Sequence, residues 1–218
     1  MSLGFASVSA PGKVFLVGEY AVLDGGTAVV AAVDRRAIGR FVPGAAPSTP
    51  LVAEAIRSVG DHLGEIGAAL PDGAPVIDSS RFSSAGGKLG LGSSAAAAVV
   101  AVGALLDAAG QDVEGDRVLA FTLADRAHRA AQGGRGSGAD VAAAVFGGVI
   151  GYSRAADGAP VVRTLGRVPG ELVVFSAGAP RSTVTSIRDV EALAERDPRR
   201  YAHRMHEIAT ATANFLQA

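Results

Sequence analysis

The sequence predicts a fold that mixes strands and helices, α+β or α/β, and three observations point there. Short runs rich in β-branched residues alternate along the chain with segments of helical period. Gly 29 and Pro 10 in 218 residues are too many for a helical bundle and lack the three-residue period of collagen. Hydrophobic residues make up 49% with aromatics at only 5% and no Trp, so a core can be built from Ala, Val, Leu and Ile, and disorder is excluded. Strand order is not fixed by any of this.

Each element follows from local signals. Residues 5–9 and 14–17 read as short strands on either side of a turn at Pro11-Gly12-Lys13, and 27–40 as a strand or hairpin. After a Pro, Ala and Ser loop over 43–50, Leu51, Val52, Ala55, Ile56, Val59 and Leu63 fall at helical spacing. Residues 71–75 break that helix, and 76–82 read as a strand entering the glycine cluster 86–92. Residues 93–109 form an Ala-rich helix ended by Gly110, and 116–132 a more polar one ending at Gly133-Gly134. An Ala/Val helix follows Asp140, then strand-like runs at 148–152, 161–165 and 172–176. The tail from 182 reads as two helices separated at Asp197-Pro198, where proline suits a first helical turn.

Composition also excludes functions. Lys+Arg 20 against Asp+Glu 21 gives a net charge of −1 with no long run of one sign, so no nucleic acid and no membrane surface is the expected partner. Zero cysteines remove disulfides, Cys-ligated metals and thiol nucleophiles, leaving carboxylates, Lys, His, Ser or backbone for any chemistry. The N-terminus lacks a basic start and apolar stretch, and the longest apolar run, 95–106, is too short to span a bilayer. A cytoplasmic protein is the expectation; oligomeric state is unreadable.

Three segments could carry chemistry. The glycine cluster runs into Ser93-Ser94 and a helix, so free backbone N–H groups and the positive end of the helix dipole converge where an anion, usually phosphate, binds. Lys88 adds a charge there, and Ser93 or Ser94 offers a hydroxyl as helix cap or as Mg²⁺ ligand. The bland alternative is a tight turn and a capped helix. Lys13 sits on a rigid turn beside a strand, where a solvated surface lysine is the ordinary reading. Asp140 follows the loop Gly133–Ala139 at a helix start, as a cap or as a catalytic carboxylate. His128 has the bland reading of a helix-surface histidine.

Taken together, Pro11-Gly12-Lys13-Val14-Phe15-Leu16-Val17-Gly18-Glu19-Tyr20, Lys88-Leu89-Gly90-Leu91-Gly92-Ser93-Ser94-Ala95-Ala96 and Gly136-Ser137-Gly138-Ala139-Asp140 resemble, in the same order, the signatures of the GHMP kinase superfamily. The stretch Gly18 to Leu23 resembles the mevalonate-pathway branch. The run His128-Arg129-Ala130-Ala131-Gln132-Gly133 through Ala142 is most similar to phosphomevalonate kinases, and mevalonate kinases come next, although the Mg²⁺-binding Glu they carry upstream of the Asp has His128 and Arg129 in its neighbourhood here.

The resemblance implies an α+β GHMP kinase fold. Residues 1–170 would be an ATP-binding domain like ribosomal protein S5 domain 2, and 171–218 the start of a ferredoxin-like second domain. The superfamily's third glycine-rich motif has no counterpart, which implies a truncated chain, an incompletely represented one or a degenerate homologue. The implied activity is transfer of the γ-phosphoryl group of ATP to phosphomevalonate, with mevalonate as alternative acceptor or, in a different class, nucleotide or metabolite binding without turnover. ATP would lie over Lys88, Gly90, Leu91, Gly92, Ser93, Ser94 and Ala95, with Mg²⁺ on Ser94. Asp140 and Lys13 would be catalytic, and Lys13, Glu19, Tyr20, Ser137, Arg181 and Ser182 would hold the small-molecule substrate.

Overall fold

The computed structural model describes residues 6–85, 87–166, 173–174 and 183–217, with backbone only at 183 and 184. Gly86, Arg181, Ser182, most of the expected strand at 172–176 and the expected domain boundary at 170/171 lie outside the described residues.

The first strand, β1 (Val8–Val17), is continuous where two strands around a turn are the sequence expectation. Its register against the next strand shifts between Pro11 and Gly12, so Pro11, which has no N–H to give a ladder, sits at a bulge and not at a turn. A 3-10 turn (Ala21–Asp24) leads to β2 (Ala28–Pro43), one 16-residue strand rather than a hairpin. Helix α1 (Pro50–Glu65) starts with Thr49 accepting from Val52 N at 3.2 Å and with Pro50 in the first turn. It buries Val52, Ala55, Val59 and Leu63 at helical spacing.

Residues 76–82 divide where one strand is the expectation: β3 (Gly73–Asp78) ends at an Asx turn, Ser80 N to Asp78 Oδ1 at 2.8 Å, and a 3-10 turn (Ser80–Phe82) follows. Two stubs, β4 (Ser83–Ser84) and β5 (Gly87–Lys88), pair before α2 (Ser93–Ala108). Then come α3 (Arg117–Ala131), capped by Asp116 accepting from Leu119 N at 2.8 Å, and α4 (Ala139–Phe146). Strands β6 (Val149–Arg154) and β7 (Pro160–Thr164) precede α5 (Thr183–Arg196) and α6 (Pro198–Gln217), which divide at Asp197 as Pro198 dictates.

The main sheet has five strands in the order β1-β2-β6-β7, with β3 beside the outer half of β2, and every pairing is antiparallel. The fold is therefore α+β. Helices α2 and α4 lie on this sheet, with α1 and α3 packed around α2. The close approach comes from small residues: a Cβ on Gly39 would sit 2.7 Å from Val100 Cγ1, and one on Gly103 2.9 Å from Val8 Cγ1. The core joins α2, α3 and α4 to Ile150 and Tyr152 of β6. Gly151, on the opposite face of β6, approaches Leu216 of α6. Cover on both faces accounts for the unbroken burial of Ala28 to Ala31 in β2, while Ile38 and Arg40 farther along are exposed. Among the described residues no helix is long and apolar enough to cross a membrane.

Candidate active site

Two helix N-termini open toward one strand. Helix α2 begins at Gly92, φ 75 and ψ 35, with no side-chain cap, so neither Ser93 nor Ser94 serves as the cap. The first intrahelical bond runs from Ala96 N to Gly92 O at 3.1 Å, which leaves the N–H groups of Ser93, Ser94 and Ala95 without a helical acceptor. Ala95 is fully buried in the core, so its contribution at the helix start is its backbone N–H. Helix α4 likewise begins at a glycine, Gly138, with no side-chain cap. Asp140 is its second residue, not the cap, and its Oδ1 accepts from Val141 N at 3.0 Å. Its half-buried carboxylate remains directed at the cleft described next.

β1 docks the glycine loop. Lys13 N donates to Leu91 O at 2.8 Å. Gly12 must be glycine for this approach, since a Cβ there would fall 2.4 Å from Leu91 O and from a ring carbon of Phe82. The Lys13 side chain then runs across Gly92: an added Cβ at Gly92 would lie 2.8 Å from Lys13 Cγ. The ammonium ends 4.6 Å from the Phe15 ring centroid, a cation–π contact that steers it along the strand.

Lys13, Glu19, Tyr20, Ser137 and Asp140, all singled out in the sequence, line one cleft. Tyr20 reaches it with φ 69 and ψ −46, the sole positive φ outside glycine among the described residues. A conformation this sparsely populated costs about 1–3 kcal/mol and persists where the surroundings impose it. Lys88 is not brought in: it lies exposed on β5, opposite Ser83. Gly90 is exposed, and Leu91 is half-buried against the Phe82 and Ala96 cluster.

The cleft also contains Gln132 and Ile187, which the sequence reading passes over, and His128, for which the sequence offers the reading of a helix-surface histidine. His128 is 3% exposed, not a surface histidine, and its Nε2 lies 3.0 Å from Ser94 Oγ. Gln132, one turn further along α3, brings its amide nitrogen to 2.5 Å from the same ring nitrogen. The signal was present, because 128 continues the buried stripe of Phe121 and Ala124 at helical spacing. Ile187 of α5 closes one side, and Arg135 of the loop before α4 lies 3.8 Å from Glu191 of α5. Unpaired helix-end N–H groups, an ammonium, a carboxylate and a hydroxyl around one cleft can bind and orient a phosphorylated ligand. Among the described residues no three His, Asp or Glu side chains converge as a metal cage.

Comparison with known proteins agrees with this fold. Residues 50–148 match the model of the GHMP kinases N terminal domain. A phosphomevalonate kinase of Streptomyces sp. (strain CL190) is 35% identical over 183 residues, covering 66% of this chain and 48% of that protein. A Lin0012 protein from Listeria innocua superposes with a TM-score of 0.84 at 26% identity, over 97% of this chain and 72% of that one. The phosphomevalonate kinase of Streptococcus pneumoniae, in complex with phosphomevalonate and AMPPNP, shares the fold at a TM-score of 0.68 and 20% identity, over 97% and 76% of the two chains. The chain spans about half the length of the curated relatives it matches.

Proposed function

This chain carries the N-terminal domain of the GHMP kinases and belongs to that family, and from that premise we propose that it takes part in ATP-dependent transfer of a γ-phosphoryl group to phosphomevalonate, giving diphosphomevalonate. The observation that carries this reading is the Lys13 side chain lying across Gly92, at the uncapped start of α2, in the cleft that also holds Asp140. Two curated relatives about one-third identical to the chain are phosphomevalonate kinases.

In this reading the phosphates of ATP lie over Gly90 to Ser94, where the free N–H groups of Ser93, Ser94 and Ala95 and the helix dipole attract them. Lys13 offsets charge on the transferring group as it moves between donor and acceptor. Ser137 orients the acceptor beside Asp140. The second pKa of a phosphate monoester is about 6, so a phosphomevalonate nucleophile is already largely ionised at neutral pH, and Asp140 positions the acceptor and Lys13 more than it removes a proton. Glu19 and Tyr20 line the cleft beside the acceptor, Lys88 stands outside it on β5, and Arg181 and Ser182 remain proposed contacts to an anionic substrate.

The donor set fits Mg²⁺ held largely by nucleotide oxygens: one hydroxyl, Ser94, and no protein cage among the described residues. Ser94 Oγ lies 3.0 Å from His128 Nε2, a contact that holds the hydroxyl at the start of α2, where one of its lone pairs could ligate the cation. Mg²⁺, when bound, would offset charge on the β- and γ-phosphates.

Coupled ADP release with phosphomevalonate, mevalonate and no acceptor tests the reading. Turnover with phosphomevalonate alone is the expected result. Turnover with mevalonate alone overturns the substrate assignment, and nucleotide binding without turnover on either acceptor overturns the kinase reading in favour of a binding protein.

A further inference from the structure

The carbonyl oxygen of Ser137 accepts from two side chains of one strand. The Tyr152 hydroxyl donates to it at 2.8 Å and Arg154 Nε at 2.8 Å. Residues two apart on β6 project from the same face, so both donors approach the loop together. Arg154 spends its remaining donors on two other elements: Nη1 donates to Gly158 O in the β6–β7 turn at 2.7 Å, and Nη2 to Asp125 Oδ2 of α3 at 2.5 Å. Asp125 is 6% exposed, and Tyr152 is fully buried. One guanidinium therefore joins α3, the hairpin turn and the loop that leads into α4.

The bracket closes on that loop without slack. Gly138 has φ +85, and a Cβ on it would lie 2.5 Å from Arg154 Nη2, 2.6 Å from Asp125 Oδ1 and 2.9 Å from the Tyr152 oxygen. Burial pushes the Tyr152 pKa up, so its hydroxyl remains a donor. Ser137 stands three residues before Asp140. Fixing its carbonyl fixes the direction of the first turn of α4 and the carboxylate on it.

We propose that Arg154 and Tyr152 are positioning residues for phosphoryl transfer, acting through the Ser137 carbonyl to hold the loop 136–140 so that Asp140 meets the acceptor beside Lys13. This rests on the kinase reading above. Lysine cannot replace Arg154, because one ammonium does not span three acceptors on three elements as a planar fork does. Tyr152→Phe removes a single O–H and leaves the ring in its core site.

Arg154→Lys and Tyr152→Phe, singly and together in the full chain, are assayed for ADP release with phosphomevalonate, for thermal melting and for amide hydrogen exchange over 136–141. Arg154→Lys is expected to lower kcat about two- to tenfold, no more than Asp140→Asn does, because it acts through the placement of Asp140. The KM for ATP stays within about twofold, since the α2 terminus is untouched, and exchange at 139–141 quickens. Tyr152→Phe shows the same pattern more weakly, and the double variant departs from additivity because both donors share one acceptor. Unchanged exchange in both folded variants overturns the bracket. Faster exchange with unchanged kcat overturns its catalytic role. A wild-type chain that turns over no acceptor overturns the kinase reading and the catalytic role with it, while the exchange arm still decides whether the bracket holds the loop.

Discussion

Ser94 and His128, 34 residues apart in the chain, meet with Oγ and Nε2 separated by 3.0 Å. The contact ties the first turn of α2 to the last turn of α3 and fixes which way the Ser94 hydroxyl points. His128→Phe keeps the buried volume and removes the hydrogen-bonding partner of Ser94. It is expected to raise the KM for Mg·ATP about tenfold, the usual scale for losing a partner behind a ligating group, with the KM for phosphomevalonate within about twofold. Steady-state kinetics with each substrate varied in turn checks this; an equal rise in both constants would assign His128 to packing alone.

Much of this arrangement was legible because it is written in local chemistry. Thr49-Pro50 marks a helix start, Pro198 divides the last two helices, and Gly92 and Gly138 precede the two helices that open on the cleft. What escaped depends on partners distant in sequence. The bulge at Pro11 exists only against β2, and Lys88 leaves the cleft because Ser83 and Ser84 pair with Gly87-Lys88. The burial of His128 continues the stripe of Phe121 and Ala124 and is local, but its partner Ser94 belongs to another helix and is not. The strand order, with β2 serving β1, β3 and β6, is likewise a matter of long-range pairing that no local pattern encodes.

Gly92 and Gly110 separate strain from function. Both have positive φ, 75 and 72, at opposite ends of α2, but only Gly92 touches a site residue; a Cβ on Gly110 meets nothing within 4 Å. Alanine at either position costs about 1–2 kcal/mol of left-handed strain. For a chain of this size that lowers Tm by roughly 2–8 °C. Gly92→Ala additionally pushes the Lys13 side chain aside and is expected to reduce kcat at least about tenfold. Gly110→Ala melts earlier but turns over normally. Differential scanning calorimetry beside ADP release reads both quantities, and equal activity in the two variants would break the link between Gly92 and Lys13.

Asp140→Asn discriminates between the acceptor chemistries. The amide keeps the size and one acceptor oxygen of the carboxylate, whose local bond to Val141 N sits at the start of α4. General-base catalysis is worth about 10²–10⁴-fold, so a hydroxyl acceptor that must lose a proton would suffer a loss of that order. A phosphate acceptor is already ionised, and kcat with phosphomevalonate is expected to fall by less than about tenfold. A hundredfold loss with phosphomevalonate would show that Asp140 takes up a proton in the transfer step.

Tyr201 of α6 donates its hydroxyl to Asp24 Oδ2, fastening the last helix to the 3-10 turn that follows Tyr20. Partial burial, with the hydrogen bond to Asp24 and the carboxylate charge, pushes the Tyr201 pKa up to about 12 from 10.0. The folded state therefore binds more protons than the unfolded state between those values, and stability falls as pH rises through that window. The contribution is fully present below pH 10 and lost by about pH 12. Removing the hydroxyl in Tyr201→Phe should flatten this part of the alkaline stability profile and leave the profile from pH 6 to 9 parallel to that of the wild type. Denaturant unfolding at intervals from pH 8 to 12 measures it, with phenolate absorbance reporting the ionisation directly. An alkaline slope identical in wild type and variant would mean that α6 is held to the site by its apolar contacts, such as Leu216 against Gly151, and not by this bond.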